Sequence, residues 1–338
     1  GGHDVVGATQ PGLSWYFAEG YTGPRFDDYV TVLNPGNANA ALTFRFQTQE
    51  AGEIVKSGYT VREHSRGTFK INDLLGANYQ TSLKLESNQP VVAERPMYFD
   101  YTGVAQHSWT GGSCVVGAPA LAKQYYFAEG TTRYSGSRGE FEEWLTLQNP
   151  GTTAIKVNAT YQLGQGQGEN VTKSYVVGPG KRSTVLVSDE VGQNKDVSVL
   201  LSSASDFLAE RPEYFNYKDK WTGGDCVVGS TATGTNWFFA EGYTGPGFQE
   251  WLTTQNPGTG DASVEITYFT EGQGTKGPYK VTVPAKTRQT VYVNLQAGSD
   301  LQLSARLVSN RPVVVERPMY FDYLGSWTGG HDVVGRRY

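Results

Sequence analysis

The chain carries one seven-residue segment, Gly-Gly-His-Asp-Val-Val-Gly, at both ends, as Gly1–Gly7 and Gly329–Gly335. Edited copies stand between them at Gly111–Gly117 and Gly223–Gly229. A signature at the opening, the close and two internal positions makes the chain an array, and arrays fold by packing like units against like units. Other landmarks keep the same order. Trp15-Tyr-Phe-Ala-Glu-Gly20 returns as Tyr125–Gly130 and Trp237–Gly242, so that Glu19, Glu129 and Glu241 stand 110 and 112 residues apart. Each unit then has an acid beside an aromatic (Asp28-Tyr29, Glu143-Trp144, Glu250-Trp251), an Asn-Pro-Gly at Asn34, Asn149 and Asn256, and a Glu-Arg-Pro at Glu94, Glu210 and Glu316. Spacing is constant through the body of each unit, while insertions fall before the acid of the second unit and after Glu-Arg-Pro in the first. That is the behaviour of a packed unit with exposed loops. The units are therefore 1–117 (1–7 being a copy of the closing motif), 118–229 and 230–338, each near the commonest domain size.

Period-2 patterning identifies the elements. Val264, Ile266 and Tyr268 alternate with Ser263, Glu265 and Thr267, as Leu42, Phe44 and Phe46 do with Thr43 and Arg45, which predicts half-buried strands. Asn-Pro-Gly and the Gly-rich runs Gly164–Gly168 and Gly272–Gly274 predict turns. No amphipathic stretch of helical period reaches ten residues, and only short helical turns are predicted, at Asn72–Gly76 and Ser188–Val191. Seven or eight short strands per unit predict an all-β chain of three tandem antiparallel, Ig-like β-sandwiches. Pro96, Pro212 and Pro318 lack a ladder donor, which predicts that the Glu-Arg-Pro strand lies at an edge or bends.

Charge and hydropathy exclude several classes. A net charge of −5 with no basic cluster leaves no footprint for nucleic acid. The apolar runs, such as Val313–Val315, are far short of the roughly 20 residues that a spanning helix needs. A chain that opens on a repeat fragment is expected to have lost its natural N-terminus, so the lack of a leader says nothing.

No nucleophile elbow, zinc-protease motif, P-loop or EF-hand loop is present. The recurring acids Glu19, Asp28 and Glu94, with Glu129, Glu143, Glu210, Glu241, Glu250 and Glu316, could form carboxylate pairs of the glycosidase type. Arg66, Arg182 and Arg288 keep step with them, as do Arg95, Arg211 and Arg317. Acid and base in step over three units predict a structural network of ion pairs that fixes strand register, with no catalytic residue, cofactor or metal. His3-Asp4 and His331-Asp332 could ligate a metal, but the internal copies read Ser113-Cys114 and Asp225-Cys226, so these residues are a junction motif. The Trp and Tyr residues serve either as core and inter-unit packing or as a sugar-stacking face.

Cys114 and Cys226 share one motif position. An intrachain disulfide, an interchain disulfide and free thiols all stay open, the first only if the units are arranged compactly. In a straight row, equivalent positions would lie on the order of 40 Å apart, beyond the reach of a disulfide.

In combination, Trp-Tyr-Phe-Ala-Glu-Gly, Asn-Pro-Gly, Ala93-Glu-Arg-Pro-Met-Tyr-Phe99 and Gly-Gly-His-Asp-Val-Val-Gly resemble tandem repeats of uncharacterised function in large secreted or surface-attached prokaryotic proteins. The resemblance covers nearly the whole chain and implies a β-sandwich and an extracellular or cell-surface setting. The second unit departs most, with Tyr125 for Trp, Glu213 for Met and Asn216 for Asp. The expectation is a non-enzymatic structural protein, a rod or filament segment of a surface appendage, sheath or adhesin stalk, whose partner is a further copy docked head to tail through Gly1–Gly7. The alternative is a multivalent carbohydrate-binding adhesion protein that meets cell-surface glycans through exposed Trp and Tyr.

Overall fold

A computed structural model describes residues 2–104, 106–134 and 139–338. In the first unit the strands are β1 (Gly12–Phe17), β2 (Phe26–Asn34), β3 (Ala40–Thr48), β4 (Gly52–Val61), β5 (Ser65–Lys70), β6 (Thr81–Thr102) and β7 (Ser108–Val116), with a one-turn helix α1 (Ile71–Leu75) between β5 and β6. All pairings among these strands are antiparallel. Strand β6 belongs to both layers of the sandwich. Its first half lies between β1 and β3, and its second half between β2 and β7. The second and third units repeat the pattern around the long strands Val197–Tyr217 and Leu303–Tyr323. In the third unit the apolar stretches Leu303–Val308 and Pro312–Val315 are parts of one strand. Helical turns occur at Ile71–Leu75 and Val187–Val191, and also at Val293–Gln296.

Of the two alternatives for the three prolines, the edge is not what the structure shows. Pro96 lies in a central stretch, opposite Cys114 of β7. The ladder to β2 pairs Asp28 with Met97 and Thr31 with Glu94, and is interrupted between them without a change of register. A break in one ladder accommodates the missing donor.

Each layer buries the alternating apolar positions that the sequence marks, Leu42, Phe44 and Phe46 among them. The Asn of Asn-Pro-Gly is a clamp. Asn34 Nδ2 donates to the carbonyls of Ala38, Val61 and Arg62, and its Oδ1 accepts from Gly36 N at 3.0 Å. Asn149 and Asn256 repeat this geometry. The second unit compensates for its substitution. Trp15 and Trp237 donate their indole N–H to the carbonyls of Val91 and Val313, whereas the smaller Tyr125 donates its hydroxyl to that of Phe207, whose ring lies 5.0 Å away. Phe in place of Val restores the volume lost from Trp to Tyr, a volume-conserving exchange.

The units do not stand in a straight row. Strand β7 packs against its counterpart Trp221–Val228, which packs against Trp327–Val334. A Cβ built on Gly111 would lie 3.2 Å from the Cα of Gly223, and one on Gly223 3.6 Å from that of Gly329. Equivalent positions of neighbouring units are therefore in contact. The four Val-Val pairs of the closing motif, Val5-Val6, Val115-Val116, Val227-Val228 and Val333-Val334, line one channel of about 170 Å³. Three sandwiches thus stand around a common axis. Residues 2–7, which form no strand, occupy the fourth position along the channel.

Candidate functional site: the junctions between units

The recurring charges meet between units, not within them. Glu210 of the second unit reaches into the first, where Oε1 accepts from Ala18 N at 3.0 Å and Oε2 from Glu19 N at 3.1 Å. The Arg95 guanidinium lies 2.7 Å from the same carboxylate and also donates to the Glu19 carbonyl. Arg182 comes from the second unit as well. It donates to the carbonyls of Gly20 and Thr81 at 2.8 and 2.7 Å and pairs with Glu19 at 3.1 Å. The next junction is the same contact shifted by one unit. Glu316 accepts from Ala128 N and Glu129 N at 3.0 and 2.9 Å and pairs with Arg211 at 3.0 Å. Arg288 donates to Val197 O at 2.7 Å and pairs with Glu129 at 2.6 Å. These ion pairs join one unit to the next.

The third acid of each set behaves differently. Asp28, Glu143 and Glu250 are buried close behind the Ala-Glu-Gly turn. A Cβ on Gly20 would lie 2.9 Å from the Asp28 carboxylate, and one on Gly242 2.8 Å from that of Glu250, which is why the motif ends in glycine. Burial raises Asp28 to about 7 and Glu250 to about 8, and it lifts Glu143 well above the usual carboxylate range. Desolvation outweighs the nearby Arg95 and Arg317 charges. At the first junction the guanidiniums of Arg95 and Arg182 meet the carboxylates of Glu210 and Glu19, and Asp28 is left as an acid that favours its neutral form. Buried charge is tolerated only when paired. Each of the junction guanidiniums has a carboxylate partner, while among the described residues Nε of Arg95, Arg182, Arg211 and Arg288 and Nη2 of Arg95 have no hydrogen-bond partner.

Aromatic contacts seal the outer part of each junction. Tyr214 of the second unit inserts among Phe26, Phe99, Tyr101 and Trp109 of the first, with centroids 4.5 to 6.5 Å apart. Tyr320 inserts likewise against Phe141, Phe215 and Tyr217. The Gly-Gly of the closing motif makes room for this, since a Cβ on Gly224 would lie 2.6 Å from the Phe99 ring and one on Gly330 2.9 Å from that of Phe215. Buried amide side chains add a bridge, Gln148 to Gln47 at 2.7 Å and Gln255 to Gln162 at 2.6 Å. Aromatic packing between units was one of the two readings the sequence offered for the tyrosines, while the glutamines did not stand out. The doubled glycine was the available signal for close approach between units.

Residues 2–7 make the same contacts to the third unit. A Cβ on Gly2 would lie 2.8 Å from the Phe321 ring, and Asp4 faces Arg317 at 3.5 Å, as Asp332 faces Arg211 at 2.8 Å. His3 Nδ1 lies 3.2 Å from Asp225, and its ring is 6.1 Å from that of His331. Burial lowers His331 to about 4. Asp225 is lowered, its contacts with His3 overcoming desolvation. Residues 2–7 therefore lie against the third unit of their own chain.

Cys114 and Cys226 are not bonded to each other in this structure. The Cys226 thiol faces Glu210 at 3.3 Å, and the Cys114 thiol faces Glu94 at 4.0 Å. Each points at the carboxylate of its own Glu-Arg-Pro. Burial raises both, Cys114 to about 11 and Cys226 well above the usual thiol range, which makes them poor nucleophiles. Among the described residues no group of three or more His, Cys, Asp and Glu is arranged to hold a metal ion, and no helix is long and apolar enough to cross a membrane.

Two equivalent clefts open at the outer rim of the junctions, about 320 and 340 Å³ in volume. Trp144, Tyr101, Arg182 and Glu19 line the first, and Trp251, Tyr217, Arg288 and Glu129 line the second.

No family model matches the chain, and neither does any curated protein. Among solved structures, Thermotoga maritima 1070 is similar at 20% identity over 31% of this chain and 96% of its own, with a TM-score of 0.29. The Anabaena sensory rhodopsin transducer is similar at 33% identity over 26% of this chain and 91% of its own, with a TM-score of 0.24. The major pilin of Streptococcus pyogenes is similar at 6% identity over 84% of this chain and 98% of its own, with a TM-score of 0.18.

Proposed function

We propose that the chain is a non-enzymatic structural protein of the extracellular or cell-surface compartment, a block of a surface appendage, sheath or adhesin stalk. The observation that carries this reading is where the polar chemistry goes. At both junctions the recurring Glu, Arg and Gln side chains seal one sandwich to the next: Glu210 and Glu316 cap neighbouring backbone amides, Arg182 and Arg288 meet neighbouring carbonyls, and Gln148 and Gln255 bridge to Gln47 and Gln162. Gold labelling of intact source cells with an antibody to the chain tests it, with label expected on the outer surface. Label confined to the cell interior would sink the reading.

A second reading rests on the paired clefts. Two copies of one Trp, Tyr, Arg and Glu arrangement at fixed separation suit multivalent binding of a glycan, with rings stacking on the aromatics and hydroxyls meeting the polar floor. A glycan array separates the two readings. Binding that is lost in Trp144→Ala combined with Trp251→Ala favours adhesion, and an array without signal leaves the structural role alone.

A further inference from the structure

The first and third units carry the two unmatched halves of the junction just described. On the third unit, Tyr323 and Trp327 are 52% and 55% exposed, whereas their counterpart tryptophans Trp109 and Trp221 are 0% and 5% exposed beneath the inserted tyrosine of the next unit. On the first unit the inserting tyrosine itself, Tyr98, is 58% exposed, against 6% for Tyr214 and 8% for Tyr320. The polar halves are unmatched in the same sense. Ala240 and Glu241 are exposed, while Ala18 and Ala128 are fully buried under a neighbour's carboxylate. Among the described residues no carboxylate accepts from the amides of Ala240 and Glu241. Arg66, the counterpart of Arg182 and Arg288, is exposed, and Glu94 is half-buried.

From this geometry we infer that the quadrant between the third and first units is the seat of a fourth β-sandwich of the same kind, joined to residues 2–7 as its closing strand, which completes a ring of four. The occupant is identified by three independent matches. The seat offers a cup for one Tyr and, on its other wall, one Tyr in need of a cup. It offers two amides and Arg317 to one Glu, and Glu94 and Arg66 to one Ala-Glu-Gly turn. The closing segment that belongs to such a unit is already in place, with Gly2 on Phe321 and Asp4 on Arg317. A second copy of this chain docking through its first unit would need that position for Gly112, so the joined unit is the occupant that fits. The inference stands independently of what the assembly does at the surface.

Amide hydrogen exchange at Ala240 and Glu241 tests it. In the chain as it stands, both amides are expected to exchange rapidly at every concentration. Protection that grows with concentration would mean that a second copy fills the seat, and would overturn the assignment. In a chain extended by placing residues 118–222 ahead of Gly1, so that Gly1–Gly7 closes the added unit, the two amides are expected to slow at least about 100-fold, as a change from a locally open to a globally protected site requires. Their rates should then approach those of Ala128 and Glu129, and Trp327 should become resistant to acrylamide quenching. Glu210→Gln in the added unit alone should return exchange at Ala240 and Glu241 toward its fast rate. If that extended chain fails to fold, one carrying residues 230–328 in the same place gives the same reading. Unprotected amides in every extended chain would overturn the inference.

Discussion

The first unit shows its neighbour a Phe-Ala-Glu-Gly face that is sealed, and the third unit shows the same face to solvent. Sequence alone hardly separates the two. Glu19 and Glu241 sit in the same six-residue motif, and Trp109 and Trp327 in the same Trp-Thr-Gly-Gly. What differs is the presence of a following sandwich that supplies a carboxylate, a guanidinium and a tyrosine. Burial, protonation and energetic weight are therefore properties of the contact, not of the motif, and a residue's role in such an array depends on its place in the ring.

The largest effects should come from removing a carboxylate at a sealed junction. Glu210→Ala leaves Arg95 buried without its partner and uncaps Ala18 N and Glu19 N, and Glu316→Ala does the same to Arg211, Ala128 N and Glu129 N. Stranding a buried charge costs about 3 to 5 kcal/mol. Glu94→Ala and Arg66→Ala on the open face should cost less than about 1 kcal/mol, the range of exposed pairs and surface changes. Urea unfolding of the four variants measures the difference, and equal costs on both faces would break the comparison.

The aromatic insertions come next. Tyr214→Ala and Tyr320→Ala empty a closed cup and should each cost about 3 kcal/mol, in the range of other large aromatic truncations. Tyr98→Ala removes a ring that faces solvent and should cost about 0.5 kcal/mol or less. Thermal unfolding of the three variants ranks them directly.

A smaller, graded effect is expected from pH. Asp28 and Glu250 hold their protons in the folded protein up to about 7 and about 8, against ordinary values of 3.8 and 4.5. Between those limits the folded state binds more protons than the unfolded state, so stability falls as pH rises through the window from about 4 to 8. Their contribution is fully present below the unfolded values and lost by the upper ones. Melting temperature should therefore drop between pH 5 and pH 8, and Asp28→Asn with Glu250→Gln should flatten the slope. A melting temperature that climbs steadily across this range would contradict the assigned protonation.

Repetition, strand periodicity, the helical turns near Asn72 and Ser188 and the Asn-Pro-Gly turn were legible in the sequence, because each is local and its signal lies within one unit, whereas the turn at Val293–Gln296 and the clamping role of the Asn side chain were not read there. The pairing of charges was only half legible. Constant spacing between Arg66 and Glu94, and between their counterparts, shows that the two move together but cannot distinguish a partner in the same unit from one in the next. Arg95 and Glu210 are paired over more than a hundred residues, and no pattern within a unit marks that contact. Asp28 resembles the other acids in sequence, and only its burial without a direct cation distinguishes it. The arrangement around an axis was hidden for a related reason. A doubled glycine announces close approach but not what approaches, and only the fold brings Gly224 against Phe99.

The account's central claim is that the units pack around a common channel instead of extending in a row, and small-angle X-ray scattering tests it most directly. A compact chain of this length has a radius of gyration of about 20 Å by the scaling for globular proteins, and three sandwiches around one axis should give a value within a few ångströms of that. Three sandwiches of about 40 Å placed end to end would give about 35 Å and a maximum dimension near 120 Å. A monomer measured near 21 Å is the result predicted here, and one near 35 Å would contradict it.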